Sequence, residues 1–371
     1  MSTQISARQR FLETAHFNSG QVVLVSGYHW FWPETIERWK KEGLVTEGFL
    51  VKIPLSEYFE FDRMEEIPIN FGLIPPFKIE TLEENARYKT IIDNDGAKKK
   101  VFKEYRTSSM DQWLEYPVKD RRTWREYKKR LDPHSPGRCP PPGLWSEKKE
   151  RYKVRDHPLG IFTGSLFGWM RNWIGIENLS YLLTDDPALI EEIVEYVEYF
   201  IIETIKPVLL EEVDLDFAHF WEDMAYKNGP LVSPKFVKKY MMSPYRKITD
   251  LLHNKGIDII TVDSDGDIRE LIPLWLDCGI NGMLPNEVTA NMQIVDLRKE
   301  YKDLIIIGGI DKRVLSRGKK EIKKEIMDKI PYLLSTSGYF PAPDHFVPPD
   351  VPLENFLYYL EVVKKLITIQ P

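Results

Sequence analysis

From about residue 157 onward the chain alternates short apolar runs with helical stretches joined by brief connections, and this rhythm limits the folds open to it. Parallel strands need crossovers of that kind, so the alternation reads as repeated βα units. The apolar runs are 157–164, 215–221, 257–262, 280–284, 304–308 and 338–341. Helical pattern covers 186–212, 233–254, 292–301, 319–334 and 353–367. No Gly-x-Gly-x-x-Gly phosphate loop follows any of the runs, which favours an α/β fold of the (β/α)₈ TIM-barrel type over an open doubly wound sheet.

The N-terminal part has a different texture. Helical pattern appears at 6–15 and again at 33–41, where Pro33 suits a first helical turn. Between 49 and 105 apolar residues alternate or cluster around prolines, and 87–92 with 97–102 flank Asp93-Asn94-Asp95-Gly96, a β-hairpin signal. Residues 132–143 are a Pro/Gly-rich connector. The expected organisation is a helical and β-hairpin extension over 1–155, packed on a barrel whose main part is 156–371.

Composition narrows the function classes. Against 57 Asp and Glu the chain has 51 Lys and Arg, a net charge of −6, without the basic stripe of a nucleic-acid binder. No apolar run approaches the roughly 18 to 20 residues that cross a bilayer. The first twenty residues lack the apolar centre of a secretory signal. Cys139 and Cys278 are far apart and form no CxxC, so neither a disulfide framework nor a thiolate zinc knot is available. A cytoplasmic protein with a small-molecule substrate, and with no nucleic-acid or membrane partner, is expected. Aromatic residues reach 12%, with 10 Trp, which serves either a ring-rich core or a flat apolar ligand.

Barrel enzymes place their chemistry at the C-terminal ends of the strands. Those positions here hold His219, Trp221, Glu222 and Asp223, then Asp263, Asp265 and Asp267, then Glu287, Asp311, Asp344 and His345. Helix caps account for some of these acids. An acid that follows an apolar run and precedes glycine, as in Val262-Asp263-Ser264-Asp265-Gly266, should instead face the mouth. Carboxylates converging with a histidine can bind a divalent cation. They can equally run acid–base chemistry, since crowding keeps one carboxyl protonated. A serine nucleophile elbow, a Walker loop and HExxH are absent.

At these residues the chain resembles the uroporphyrinogen decarboxylase-like superfamily. The likeness is clearest in Gly164-Ser-Leu-Phe-Gly-Trp169, Phe217-Ala-His-Phe-Trp-Glu-Asp223, Val262-Asp-Ser-Asp-Gly266, Gly308-Gly-Ile-Asp311 and Asp344-His-Phe-Val-Pro-Pro349. The resemblance implies a distorted (β/α)₈ barrel. True decarboxylases hold porphyrinogen carboxylates with arginines of an N-terminal segment; its counterpart here, Ser26-Gly-Tyr-His-Trp-Phe-Trp-Pro33, has none. The other branch, the corrinoid-dependent methyltransferases, moves a methyl group between a small substrate and cobalamin on a partner corrinoid protein. Where thiol-activating members place zinc ligands this chain has Asp263, Asp265 and His345, with Glu287 nearby, an oxygen-rich set that suits an ether better than a thiol. The resemblance therefore implies an aryl O-demethylase of the veratrole, vanillate or guaiacol type. Its catalytic residues would be Glu222, Asp263 and His219. Tyr28, His29, Trp30, Trp32, Trp169, Trp221, Asp311 and Asp344 would bind substrate, and Asp263, Asp265, Glu287 and His345 would hold a possible zinc. A decarboxylase of a carboxylated small molecule and a ligand-binding barrel without turnover are the alternatives. A neighbouring gene for a small cobalamin-binding protein would discriminate among the three.

Overall fold

The computed structural model describes residues 5–18, 22–45, 54–104 and 109–369. Its strands are β1 (Glu65–Ile67), β2 (Glu80–Glu84), β3 (Tyr88–Ile92), β4 (Lys98–Phe102), β5 (Gln112–Glu115), β6 (Leu159–Phe162) and β7 (Phe217–Trp221), then β8 (Ala225–Tyr226), β9 (Gly229–Pro230), β10 (Ile260–Asp263), β11 (Gly282–Leu284), β12 (Ile305–Ile307) and β13 (Tyr339–Phe340). Seven of them form one parallel sheet in the order β1-β6-β7-β10-β11-β12-β13. Spatial order follows chain order because helices return the chain between successive strands. Pro187–Leu209 joins β6 to β7, Met242–His253 precedes β10, and Lys319–Thr336 precedes β13. Local chemistry starts these helices: the Asp186 carboxylate accepts the Leu189 N–H, and Pro187 takes the first turn.

Side chains alternate across the sheet with the strand period of two. Phe217, Ile259, Leu284, Ile305, Ile307 and Phe340 form an inner core with Phe11, Val23, Val25 and Tyr28. Ala218, Phe220, Ile260, Val262, Met283 and Ile306 face outward into the core shared with the helices. The sheet curls around the inner set.

Seven strands, rather than the expected eight, make this ladder among the described residues. The extended residues 22–25 lie against its β1 edge, where Val25 bridges Asp62 in parallel and the Asp62 N–H donates to the Leu24 carbonyl at 2.9 Å. The N-terminal segment also reaches the β13 side. There the Gly338 N–H donates to the Thr14 carbonyl and the Val347 N–H to the Trp30 carbonyl. The 3₁₀ turn Ser26–Tyr28 interrupts the extended run, so single bridges form in place of a strand ladder.

The stretch expected as an extension, 1–155, also contributes to the parallel sheet. β1 is an edge of the parallel sheet, and Phe11, Val23 and Tyr28 belong to its inner core. The residues between β1 and β6 add a four-stranded antiparallel sheet, β2-β3-β4-β5, in which β3 and β4 pair across the turn at 93–97. Gly96 has φ +82°, and a Cβ there would stand 2.9 Å from the Phe77 ring. Among the described residues no helix is long and apolar enough to cross a membrane.

Candidate active site

Between β1, β7, β10 and β11 the inner face of the sheet surrounds a cavity of about 250 Å³. Tyr28, Trp30, Glu66, Phe217, His219 and Asp263 line it, and no lysine or arginine does. Glycine at inward positions makes the room. A Cβ on Gly160 would lie 2.5 Å from the Phe217 ring, and one on Gly282 would lie 2.6 Å from the Thr261 methyl.

His219 sits in mid-β7 with its Nδ1 3.2 Å from the Glu66 carboxylate. That contact places the imidazole beside an acidic side chain at the cavity wall. Asp263 ends β10, in register with Trp221 on β7 and Leu284 on β11. Burial, and then the charges of Asp223, Asp265 and Glu287, hold its carboxyl well above the usual carboxylate range. The cavity thus combines an acid that resists losing its proton, an oriented imidazole and aromatic walls.

The remaining acids are engaged elsewhere. Asp223 accepts the Asp265 N–H at 3.3 Å and meets the Arg171 guanidinium at 3.3 Å. The Asp265 carboxylate lies 3.2 Å from His345 Nε2. Glu287 accepts the Gly266 N–H at 3.1 Å and pairs with Lys312 at 3.2 Å. No group of three or more His, Cys, Asp or Glu among the described residues is arranged to hold a metal ion. Of the four residues expected to hold a possible zinc, Asp265 lies against His345, Glu287 pairs with Lys312, and Asp263 lines the cavity with the charges of Asp265 and Glu287 acting on it.

Two substrate-binding carboxylates expected at the mouth hold the backbone instead. Asp344 is buried and accepts the N–H groups of Val288 and Lys312, both at 2.9 Å, which ties two βα loops together. Asp311 accepts the Arg313 N–H and pairs with that residue's guanidinium at 2.7 Å.

Glu222 is the main correction. It was expected to donate a proton to substrate, yet its side chain is wholly buried. Its carboxyl oxygens accept from the N–H groups of Leu166 at 2.9 Å, Phe167 at 2.7 Å and Gly168 at 3.2 Å, and from the Ser165 hydroxyl at 3.0 Å. These are the otherwise unpaired donors at the start of the helix Phe167–Ile174. Glu222 therefore positions that helix against β7 and does not reach the cavity.

The aromatic N-terminal segment divides by alternation. Tyr28 and Trp30 line the cavity. His29, between them, points the other way: its Nδ1 is 3.1 Å from the Val25 carbonyl and its ring stacks on Phe61 at 4.3 Å. Burial lowers its pKa to about 4, and His29, expected among the substrate-binding residues, packs in the core behind the cavity wall. Trp30 and Trp32 both stack on Phe346, at 5.7 and 4.3 Å. Trp169 and Trp221 line a neighbouring cleft and not this cavity.

Glu66 is the functional candidate that strand-end reasoning passed over, because β1 lies in the stretch expected to be extension. Its sequence signal is slight, an acid just ahead of the short run Ile67-Pro68-Ile69.

Comparison with known proteins now bears on this geometry. The family model described as uroporphyrinogen decarboxylase (URO-D) matches residues 148–366, more than half of the chain. The chain belongs to this family. Its fold is similar to that of a methyltransferase from Methanosarcina mazei, with a TM-score of 0.60, 14% identity, and coverage of 98% of this chain and 99% of that one. A B12-independent methionine synthase from Shewanella sp. W3-18-1 is more distant, at TM-score 0.39 and 9% identity over 79% of this chain and 74% of that one. No curated protein matches the chain. The cavity lining has no lysine or arginine, whereas a polycarboxylate ligand calls for cationic partners.

Proposed function

We propose that this protein is a methyltransferase that takes the methyl group from a methoxylated aromatic and passes it to the cob(I)alamin of a partner corrinoid protein. One observation carries the reading: Asp263, whose carboxyl is held well above the usual carboxylate range by burial and neighbouring acids, lines an aromatic-walled cavity that no lysine or arginine enters. The fold shared with the M. mazei methyltransferase supports the methyl-transfer branch. The cavity, at about 250 Å³, suits a single-ring substrate and is small for a tetrapyrrole.

Breaking an aryl methyl ether leaves an oxygen that carries the electron pair of the broken C–O bond, and phenoxide departs poorly unless it is protonated. The corrinoid partner supplies the nucleophile that accepts the methyl group. Asp263 gives its proton to the departing oxygen, which leaves as the neutral phenol. His219, steadied by Glu66, is the base in the same cavity through which a proton returns to Asp263. Tyr28, Trp30 and Phe217 hold the ring and exclude water.

A reconstituted assay tests the reading. The protein, a reduced corrinoid protein and a panel of veratrole, vanillate and guaiacol should yield a demethylated phenol and the spectrum of methylated corrinoid together. Carbon dioxide released from a carboxylated substrate, with no phenol from any of the panel, would move the chain to the decarboxylase branch.

Trp30→Ala should raise the KM for the methoxyarene about tenfold with little change in kcat, because a wall contact binds ground state and transition state alike. Steady-state kinetics alongside a thermal melt check this. An unchanged KM in a variant that melts early would make Trp30 a packing residue.

A further inference from the structure

Beside the barrel cavity, across the Phe162–His219 contact at 5.1 Å, lies a second concavity of about 340 Å³. Phe71, Phe162, Trp169, Trp173 and Trp221 form its walls. Trp169 stacks on Trp173 at 5.9 Å and meets Phe71 at 5.5 Å, so several rings offer their faces within one small space. Asp95 is the one charged residue in its lining.

The hairpin turn is built to present Asp95 there. Asp93 accepts the N–H groups of Asp95 at 3.0 Å and Ala97 at 2.9 Å, and pairs with Lys99 at 2.6 Å. The Phe77 N–H donates to the Asn94 carbonyl, and Gly96 packs on the Phe77 ring. Lys99 is thus taken by Asp93, and among the described residues no hydrogen bond reaches the Asp95 carboxyl group. Asp95 is a partly buried lining residue of the cleft, and its carboxyl group is open to a donor from a ligand. Burial and the neighbouring Asp93 also raise the Asp95 pKa.

We infer that this cleft is a second small-molecule site, which takes a flat aromatic ring bearing a hydrogen-bond donor, the ring against Trp169 and Trp221 and the donor on Asp95. Pockets of this make-up, mostly apolar with a few placed polar groups, are typical of small-ligand sites. The inference does not depend on the methyl-transfer reading, since neither Asp263 nor His219 enters it.

Equilibrium binding to the full chain, followed by tryptophan fluorescence and calorimetry, tests it with phenol and anisole as the probes. Phenol should bind about tenfold more tightly than anisole, the discrimination expected of one hydrogen bond to a carboxylate. Asp95→Ala should abolish that preference and leave anisole binding in place, while Asp95→Asn, which keeps an acceptor oxygen, should retain part of it. Trp169→Leu should weaken both probes. Equal affinities for the two probes, or a preference that survives Asp95→Ala, would overturn the assignment. Phenol binding that follows these variants in a protein inactive toward every methoxyarene would uphold the site and refute the methyl-transfer reading.

Discussion

Asp263→Asn should lower single-turnover methyl transfer by about 10²- to 10⁴-fold, the range for loss of a general acid, in a protein that stays folded. The amide keeps the volume and shape of the side chain and removes the proton that stabilises the departing oxygen. Substrate binding should change little, because the aromatic walls remain. The pH dependence gives an independent readout. The folded state holds the Asp263 proton above the usual carboxylate range, through burial and the charges of Asp223, Asp265 and Glu287. Activity should therefore fall as pH rises through that raised value, and the variant should lose this limb. Stability moves with the same sign. A carboxyl with a raised folded pKa contributes stability that is fully present below its unfolded value of about 4 and is lost as pH climbs through the folded one. Chemical denaturation at several pH values should show stability declining over that window in the native chain and a shallower decline in Asp263→Asn. A variant with native rates and the native pH profile would remove Asp263 from the chemistry.

The second large effect falls on stability. Glu222→Gln should lower the melting temperature by several degrees, whereas the corresponding change at Asp263 should not. Glu222 accepts from three backbone N–H groups and one hydroxyl, all in the interior. A glutamine offers one carbonyl oxygen and turns an N–H₂ group toward donors it cannot accept. Leaving a buried donor unpaired costs roughly 1–3 kcal/mol, and at least one would be unpaired here. The helix Phe167–Ile174 carries Trp169 and Trp173, so the loosening should also appear as altered tryptophan emission. A variant that melts with the native protein yet has lost methyl transfer would return Glu222 to the role of proton donor.

The periodicity of the chain carries much of the architecture. Apolar runs at 215–221, 257–262 and 304–308 become β7, β10 and β12, because strands flanked by helices on one side and an inner core on the other must be apolar on both faces. Inward positions follow from the period of two: with Phe217 inside, His219 and Trp221 share its face. The edge at β1 was less legible. Its three residues carry two glutamates and too little pattern to stand out among the surrounding prolines, so Glu66 stayed hidden with it. The same holds for residues 22–25, whose neighbours are 37 or more positions away in sequence at Asp62 and beyond.

Residue types and their spacing determined that acids and two histidines, His219 and His345, stand at the strand ends, while the expectation that an aromatic segment at 28–32 closes the pocket came from the family resemblance. They could not apportion roles among those acids. Glu222 and Asp263 each follow an apolar run; Gly266 marks the Asp263 run for the mouth, but no local signal excludes Glu222 from it. Only the tertiary structure does so, by bringing the start of the helix Phe167–Ile174 to Glu222 and three other carboxylates around Asp263. Likewise His29 and Tyr28 are adjacent in sequence but face opposite sides of the wall, one against Phe61 and the other into the cavity. The physical reason is that a side chain's protonation and reach depend on burial and on charges supplied by other strands. Those neighbours are set by how the sheet curls and by which loops cross its mouth, and sequence periodicity reports neither.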